Sequence, residues 1–286
     1  MNLKIIVLAK QVPDTRNVGK DAMKADGTVN RSALPAIFNP EDLNALEQAL
    51  RLKDKFPGST VNLLTMGPPR ATDIIREGLF RGADGGYLLT DRVFAGADTL
   101  ATSYALHKAI KKIGNFDLII SGRQAIDGDT AQVGPQVAEK LNIPQITYTE
   151  EIQSVENEKI TVKRRLERGI EIVEAPLPVL ITVNGSAPVC RPRNAKLFQK
   201  YKYATTQPPE GGGVAKSPSG DLRLNEWSAS DINADVQQCG LSGSPTKVKK
   251  IESVVLQTKE SKTFDSSDGQ IEALMIELIS NHTIGG

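Results

Sequence analysis

Cysteine is nearly absent: the 286 residues contain two, Cys190 and Cys239, far apart and without a CxxC or a neighbouring histidine. That usage excludes a zinc site, an iron–sulfur cluster and a disulfide framework, and it points to a reducing compartment, the cytoplasm. Histidine is equally scarce, and His107 and His282 have no ligand-spaced neighbours, so neither a metal site nor a catalytic role is assigned to them. Charge of one sign is not in excess. Thirty-five Lys and Arg against 34 Asp and Glu leave a formal charge of +1, which excludes a global field that would recruit nucleic acid or an acidic membrane. No apolar stretch reaches the roughly 18 residues of a bilayer-crossing helix, so no membrane insertion is expected. The opening run MNLKIIVLAKQVPD is short and lacks a small-residue cleavage site, so it reads as a first core strand and not as a secretory signal. Neither GxGxxG nor the GxxxxGK[ST] P-loop occurs, which leaves a dehydrogenase or nucleotide hydrolase reading by motif unsupported.

What is present is a globular composition, 39% hydrophobic and 24% charged, in a chain long enough for one large domain with an appended arm. Apolar runs of strand length recur at residues 3–9 (LKIIVLA), 60–66 (TVNLLTM), 86–90 (GYLLT) and 116–121 (FDLIIS). Each is followed by a turn and a helical pattern, the alternation of an α/β fold with a mostly parallel sheet. Asn39-Pro40-Glu41-Asp42 reads as a helix start, with Asn as cap, Pro at the first helical position and two acids at the positive end of the dipole. Further helices are expected over 69–80, from Asp98, and from Thr130, where Val133, Val137 and Leu141 recur. After residue 144, four extended stretches (ITYTEEIQSV, KITVKRRLERG, IEIVEA, PVLITV) suggest an antiparallel meander or sheet extension.

From Gly185 the periodicity fades. SAPVCRPRNAKLFQKYKYA is basic and aromatic, QPPEGGGVAKSPSG is a linker, and SSDGQIEALMIELISN predicts a terminal amphipathic helix. The expected division is therefore an α/β domain over 1–184 and, over 185–286, a docking loop, linker and C-terminal arm. Arg191, Arg193, Lys196, Lys200 and Lys202 with Phe198, Tyr201 and Tyr203 suit a protein interface, and equally a solvated loop. Cys190 beside Arg191 is a candidate reactive thiol.

The most informative stretch is SGRQAIDGDTAQVGPQVAEKL, 121–141, a strand end, a glycine-bearing turn and a helix. Backbone N–H groups of the first turn, around Thr130 to Gly134, would favour a phosphate or diphosphate. Asp127 and Asp129 would repel it unless turned away, so Asp129 is assigned to capping or to ribose hydroxyls, and phosphate contacts to the amides and the Thr130 hydroxyl. The same pattern also describes an ordinary αβ turn with a capped helix.

GRQAIDGDTAQVGPQ, VLAKQVPD, IFNPEDLNALEQALRLKD and the strand-end MGP at 66–68 closely resemble the β subunit of electron transfer flavoproteins, in order and at compatible spacing over residues 3–183. The resemblance implies a Rossmann-like three-layer sandwich with an antiparallel extension and a C-terminal arm, paired with an α subunit that carries an electron-transferring FAD. It implies a nucleotide site at Ala9, Asn39, Pro40, Glu41, Asp42, Met66, Gly122, Arg123, Gln124, Ala125, Ile126, Asp127, Gly128, Asp129, Thr130, Ala131, Gln132 and Val133. Some β subunits hold AMP there and others a second FAD used in electron bifurcation. The AMP type resembles QAIDDDxNQTGQ; this chain reads QAIDGDTAQVGP, a less acidic turn that favours FAD. In bifurcating members that flavin takes a hydride from NADH and sends one electron to the α-subunit FAD and the other to a low-potential acceptor such as ferredoxin, so no catalytic side chain is assigned. Where many β subunits carry an NEPRY-like loop for acyl-CoA dehydrogenases, this chain has NGSAPVCRPRNAKLFQKYKYA, leaving the docked redox enzyme open.

Overall fold

The structure, a computed structural model, describes residues 1–14, 35–205, 224–246 and 261–284. It forms two compact units, Met1–Lys249 and Lys250–Gly286. The Pro/Gly/Ser linker at 207–220 lies outside the described residues.

In the first unit the chain runs β1 (Lys4–Leu8), β2 (Gln11–Pro13), β3 (Ala36–Phe38), α1 (Pro40–Lys55), β4 (Thr60–Met66), α2 (Thr72–Leu79), β5 (Gly85–Leu89), α3 (Thr99–Ile113), β6 (Leu118–Gly122) and α4 (Val133–Leu141). It continues through β7 (Gln145–Glu156), β8 (Lys159–Leu166), β9 (Gly169–Pro176), β10 (Val179–Val183), α5 (Ala195–Tyr201) and β11 (Asn225–Trp227). The main sheet has the order β11-β5-β4-β1-β6-β10-β7-β8-β9, while β2 and β3 form a separate antiparallel ribbon. β1 alternates between two apolar layers. Ile5 and Val7 face α1 and α2 (Leu46, Leu50, Ile74, Ile75), and Ile6 and Leu8 face α3 and α4 (Leu106, Ile110, Val137). An apolar run without polar alternation is what a strand covered on both faces requires. The α/β class with a mostly parallel sheet is thus as expected.

Strands β4 and β5 stack on one side of β1; α3 then carries the chain across, and β6 pairs parallel with β1 on the other side. The order of progression reverses between β1 and β6, and the carboxyl ends of strands at such a switch open a crevice.

Of the four stretches expected as an antiparallel meander or sheet extension, three form the extension and the fourth does not. β7, β8 and β9 are antiparallel neighbours, but β10 inserts between β6 and β7, parallel to both. All five of its residues are buried, and VLITV has the unbroken apolar pattern of a central strand. Residues 224–246, assigned by their fading periodicity to the arm, build onto this unit: β11 pairs parallel with β5, and Leu224, Ala229, Ile232 and Cys239 are buried. Trp227 stacks on Tyr87 at 4.7 Å between ring centroids. A three-residue strand is too short to carry a readable period.

The second unit contains α6 (Asp268–Ser280), the terminal helix expected from the sequence. Its Ser267 cap position makes no side-chain bond to the helix; the hydroxyl bonds Asp265 instead. Ile271, Met275, Ile276 and Ile279 are exposed.

Candidate functional site

Three segments converge at the carboxyl ends of β1 and β6: Ala9–Lys10 after β1, Asn39–Asp42 at the start of α1, and 122–132 between β6 and α4. Pro40 occupies the first turn of α1 with Glu41 and Asp42 beside it, as the sequence predicts, but Asn39 makes no side-chain cap. Its amide instead reaches the loop after β6, where Oδ1 accepts from the Ile126 N–H (3.1 Å) and Nδ2 donates to the Gln124 carbonyl (2.9 Å). Glu41 accepts from the Gln124 N–H at 2.9 Å and from Arg123 at 3.2 Å. Asp42 accepts from the Lys10 N–H at 2.8 Å and the Gly122 N–H at 2.9 Å. Burial pushes the Asp42 carboxyl from 3.8 up to about 7, against the hydrogen bonds from Lys10, Asn39 and Gly122 and with the help of neighbouring Glu41.

The two acids that would repel an anion both have partners within the site. Asp127 pairs with the Lys10 ammonium at 2.7 Å, and Asp129 accepts from the Gln124 amide at 2.8 Å. Asp129 therefore does not cap α4. The helix also starts later than expected, at Val133, so Thr130 and Ala131 lie in the loop before it, with Asp129 and Ala131 in the left-handed region at φ 48° and 52°. This backbone excursion delays the helical turn and leaves Gly128, Asp129 and Thr130 exposed. The cap position of α4 is Gln132, whose side chain accepts from Thr99 at 2.9 Å and makes no cap bond.

The residues fit an anionic nucleotide. Beneath the first turn of α4, a Cβ on Gly134 would lie 3.0 Å from the Ser121 hydroxyl, and that hydroxyl is buried without a partner. The uncapped start of α4 leaves backbone N–H groups that suit a phosphate oxygen. Met66 ends β4 on the far side of β1 and joins no hydrogen bond of this cluster. Three residues at the crevice have no role in the sequence reading: Lys10 and Ser121, which lie inside the motifs VLAKQVPD and SGRQAIDGDTAQVGPQVAEKL, and Tyr148, which lies outside them. A cation directly after a strand end, facing an acidic turn, is the signal that Lys10 offered. Tyr148, at φ 59°, stands 5.8 Å from the Arg123 guanidinium measured to its ring centroid, and nothing in its local sequence marks it. Burial works to lower the Arg123 pKa, but Glu41 and Tyr148 hold it above its ordinary value.

Away from the crevice, the basic segment forms α5, capped by Asn194, whose side-chain Oδ1 accepts from Lys196 and Leu197 N–H groups at 2.9 and 3.2 Å. The segment is pinned to the fold. Arg191 binds Glu47 at 3.0 Å and Asp54 at 2.8 Å, Arg193 binds Glu77 at 2.6 Å, and Phe198 stacks on Phe80 at 4.9 Å. Burial would raise the Glu47 carboxyl, yet hydrogen bonds from Arg191 and Arg51 carry it below its ordinary value. Cys190 is corrected as a reactive thiol: burial pushes it up to about 11, so it stays protonated. Burial lowers the His107 pKa with help from Lys111, Lys108 and Lys140, and its Nδ1 donates to the Tyr104 carbonyl at 2.6 Å. That is a structural role. Among the described residues no group of acidic, histidine or cysteine side chains could hold a metal, and no helix is long and apolar enough to cross a membrane.

The electron transfer flavoprotein domain matches residues 26–204, more than half of the chain. This chain belongs to the electron transfer flavoprotein family. It is 47% identical over 255 residues, 87% of each chain, to the electron transfer flavoprotein subunit beta of Megasphaera elsdenii. It is 44% identical over 246 residues, 86% of each chain, to the caffeyl-CoA reductase-Etf complex subunit CarD of Acetobacterium woodii. Protein FixA of Bradyrhizobium diazoefficiens is 40% identical over 283 residues, covering 96% of this chain and 91% of its own. The fold and the family thus agree with the resemblance drawn from the motifs.

Proposed function

We propose that this chain is the β subunit of a heterodimeric electron transfer flavoprotein, binds FAD at the β1/β6 crevice, and works in flavin-based electron bifurcation. The observation that carries the reading is the internal neutralisation of the turn: Lys10 engages Asp127 and Gln124 engages Asp129, beside an uncapped α4 start. A diphosphate meets amides there instead of free carboxylates. FAD would supply the chemistry, hydride uptake from NADH and one-electron delivery to the α-subunit FAD and to a low-potential acceptor such as ferredoxin. The protein's part is to bind and orient. Gly122 to Val133 would cradle the phosphates, Asn39, Glu41 and Asp42 hold that loop in place, and Arg123 with Tyr148 forms a polar, aromatic wall on the β10 side.

The relative named for a caffeyl-CoA reductase complex supports a redox enzyme acting on an acyl-CoA as partner, an acyl-CoA dehydrogenase or reductase, docked at the pinned α5 segment. The exposed apolar side chains of α6 fit packing on the α subunit. Anoxic NADH titration of the α/β heterodimer tests the reading. Bleaching equivalent to two flavins per heterodimer is expected; bleaching of none or of one would contradict it.

A further inference from the structure

Asn39, Glu41 and Asp42 stand where side chains ordinarily cap their own helix, yet each binds backbone amides of distant segments. Asp42 is the most constrained of the three. Its two oxygens accept from the Lys10 and Gly122 N–H groups, at 2.8 and 2.9 Å, so one carboxylate closes the ends of two adjacent parallel strands. The ladder between β1 and β6 has its last registered pair at Leu8 and Ser121. Beyond that pair the Ala9 N–H bonds Leu64 of β4, and Asp42 takes up the Lys10 and Gly122 N–H groups. Gly122 is required by this clasp: a Cβ there would lie 2.5 Å from Asp42 Oδ1 and 2.8 Å from the Asp42 nitrogen. Asp42 itself is only 6% exposed, so it has little surface to offer a ligand.

We propose that Asp42 is a positioning residue and not a ligand contact: its carboxylate clasps the ends of β1 and β6 and thereby sets the turn that receives the nucleotide's phosphates. The proposal rests on the nucleotide-binding reading above. Asn39 and Glu41 extend the clasp along Gln124 and Ile126, so the amino end of α1 works as a template for the loop over 122–126. A carboxyl group suits the role because, with or without its proton, both of its oxygens present lone pairs to the two N–H groups, whereas an amide of the same shape offers one acceptor and turns a donor toward the second N–H.

The test uses the α/β heterodimer with Asp42→Asn, which keeps one acceptor, and Asp42→Ala, which keeps none. FAD and AMP dissociation constants are measured alongside the urea midpoint of nucleotide-free protein and hydrogen exchange at the Lys10 and Gly122 amides. The expected result is weakening of nucleotide binding by about tenfold in Asp42→Asn and about a hundredfold in Asp42→Ala, following the number of bonds retained. Exchange at both amides should quicken in the same order, whatever the urea midpoints do. Wild-type affinity in both variants overturns the proposal, as does unchanged exchange or a loss of affinity that follows global stability. A wild-type heterodimer that binds neither FAD nor AMP overturns the nucleotide reading instead, and the exchange rates still decide whether the clasp exists.

Discussion

Asp42 and Glu47 lie little more than one turn apart on α1, are both buried, and are set in opposite electrostatic surroundings. At the amino end of the helix, Asp42 meets neutral backbone donors, and burial wins: its carboxyl rises to about 7. Five residues on, Glu47 meets the guanidinium groups of Arg191 and Arg51, which outweigh burial and carry it below its ordinary value. The contrast separates two tasks. Amides shape a loop without neutralising the acid that holds them, while a full ion pair fastens a remote segment, here the 190–194 stretch leading into α5.

The largest expected effect is on the pH dependence of stability. The folded state binds the Asp42 proton more tightly than the unfolded chain, so this group's stabilisation is complete below pH 4 and is lost as pH rises through about 7. A rise from 3.8 to about 7 corresponds to as much as about 4 kcal/mol. Glu47 has the opposite sign: its contribution is present above pH 4.5 and is lost as pH falls through its depressed folded value. Urea unfolding of nucleotide-free protein from pH 5 to 8 should show a declining limb that Asp42→Asn flattens and Glu47→Gln leaves in place. A limb untouched by Asp42→Asn would abolish the contrast.

Next in size is Arg191→Ala, which strands the buried Glu47 carboxylate with Arg51 as its remaining cation. A loss of about 3 kcal/mol is expected, the lower end for a broken buried pair because the Arg191 side chain is 31% exposed. Limited proteolysis should cut the 190–204 segment faster in this variant and leave the β1/β6 crevice as protected as in wild type. Equal cleavage in both proteins would show that the pair does not fasten the arm.

Gly122→Ala sharpens the same comparison at the other end of α1. The added methyl must displace Asp42 or the loop, at a cost of about 1–3 kcal/mol, and nucleotide affinity should fall with it. Wild-type affinity would mean that the close approach of Asp42 is incidental. The smallest effect on the chain itself is expected from Ile276→Lys in α6. An exposed position of this kind changes stability by less than about 0.5 kcal/mol, while sedimentation of the mixture with the α subunit should show weaker association.

Much of the scaffold was legible because its signals are local. Buried parallel strands read as unbroken apolar runs, and α1 to α3 announce themselves through Pro40, Asp98 and their spaced leucines and isoleucines. β10 reads as a strand but not as a central one, since its place between β6 and β7 depends on long-range pairing, Val179 with Leu118 and Leu180 with Gln145. β11 and α5 are too short for periodicity to mark them. At the crevice the fold brings together the segments the sequence points to around Asn39 and Gly122, but individual roles are hidden where local and tertiary chemistry compete. Asn39 looks like a cap because cap residues and loop-binding residues have the same side chains, and only the arrival of Gln124 and Ile126 decides between them. Asp129 and Ala131 adopt left-handed backbone conformations, which moved the start of α4 from Thr130 to Val133 in a way that composition does not encode.

We propose that an adenine nucleotide occupies the β1/β6 crevice and that this nucleotide is FAD. Acid extraction of the purified α/β heterodimer after gel filtration, with chromatographic quantification of the released nucleotides, tests it most directly. Two FAD and no AMP per heterodimer is the predicted result; one FAD with one AMP, or one FAD alone, would contradict it.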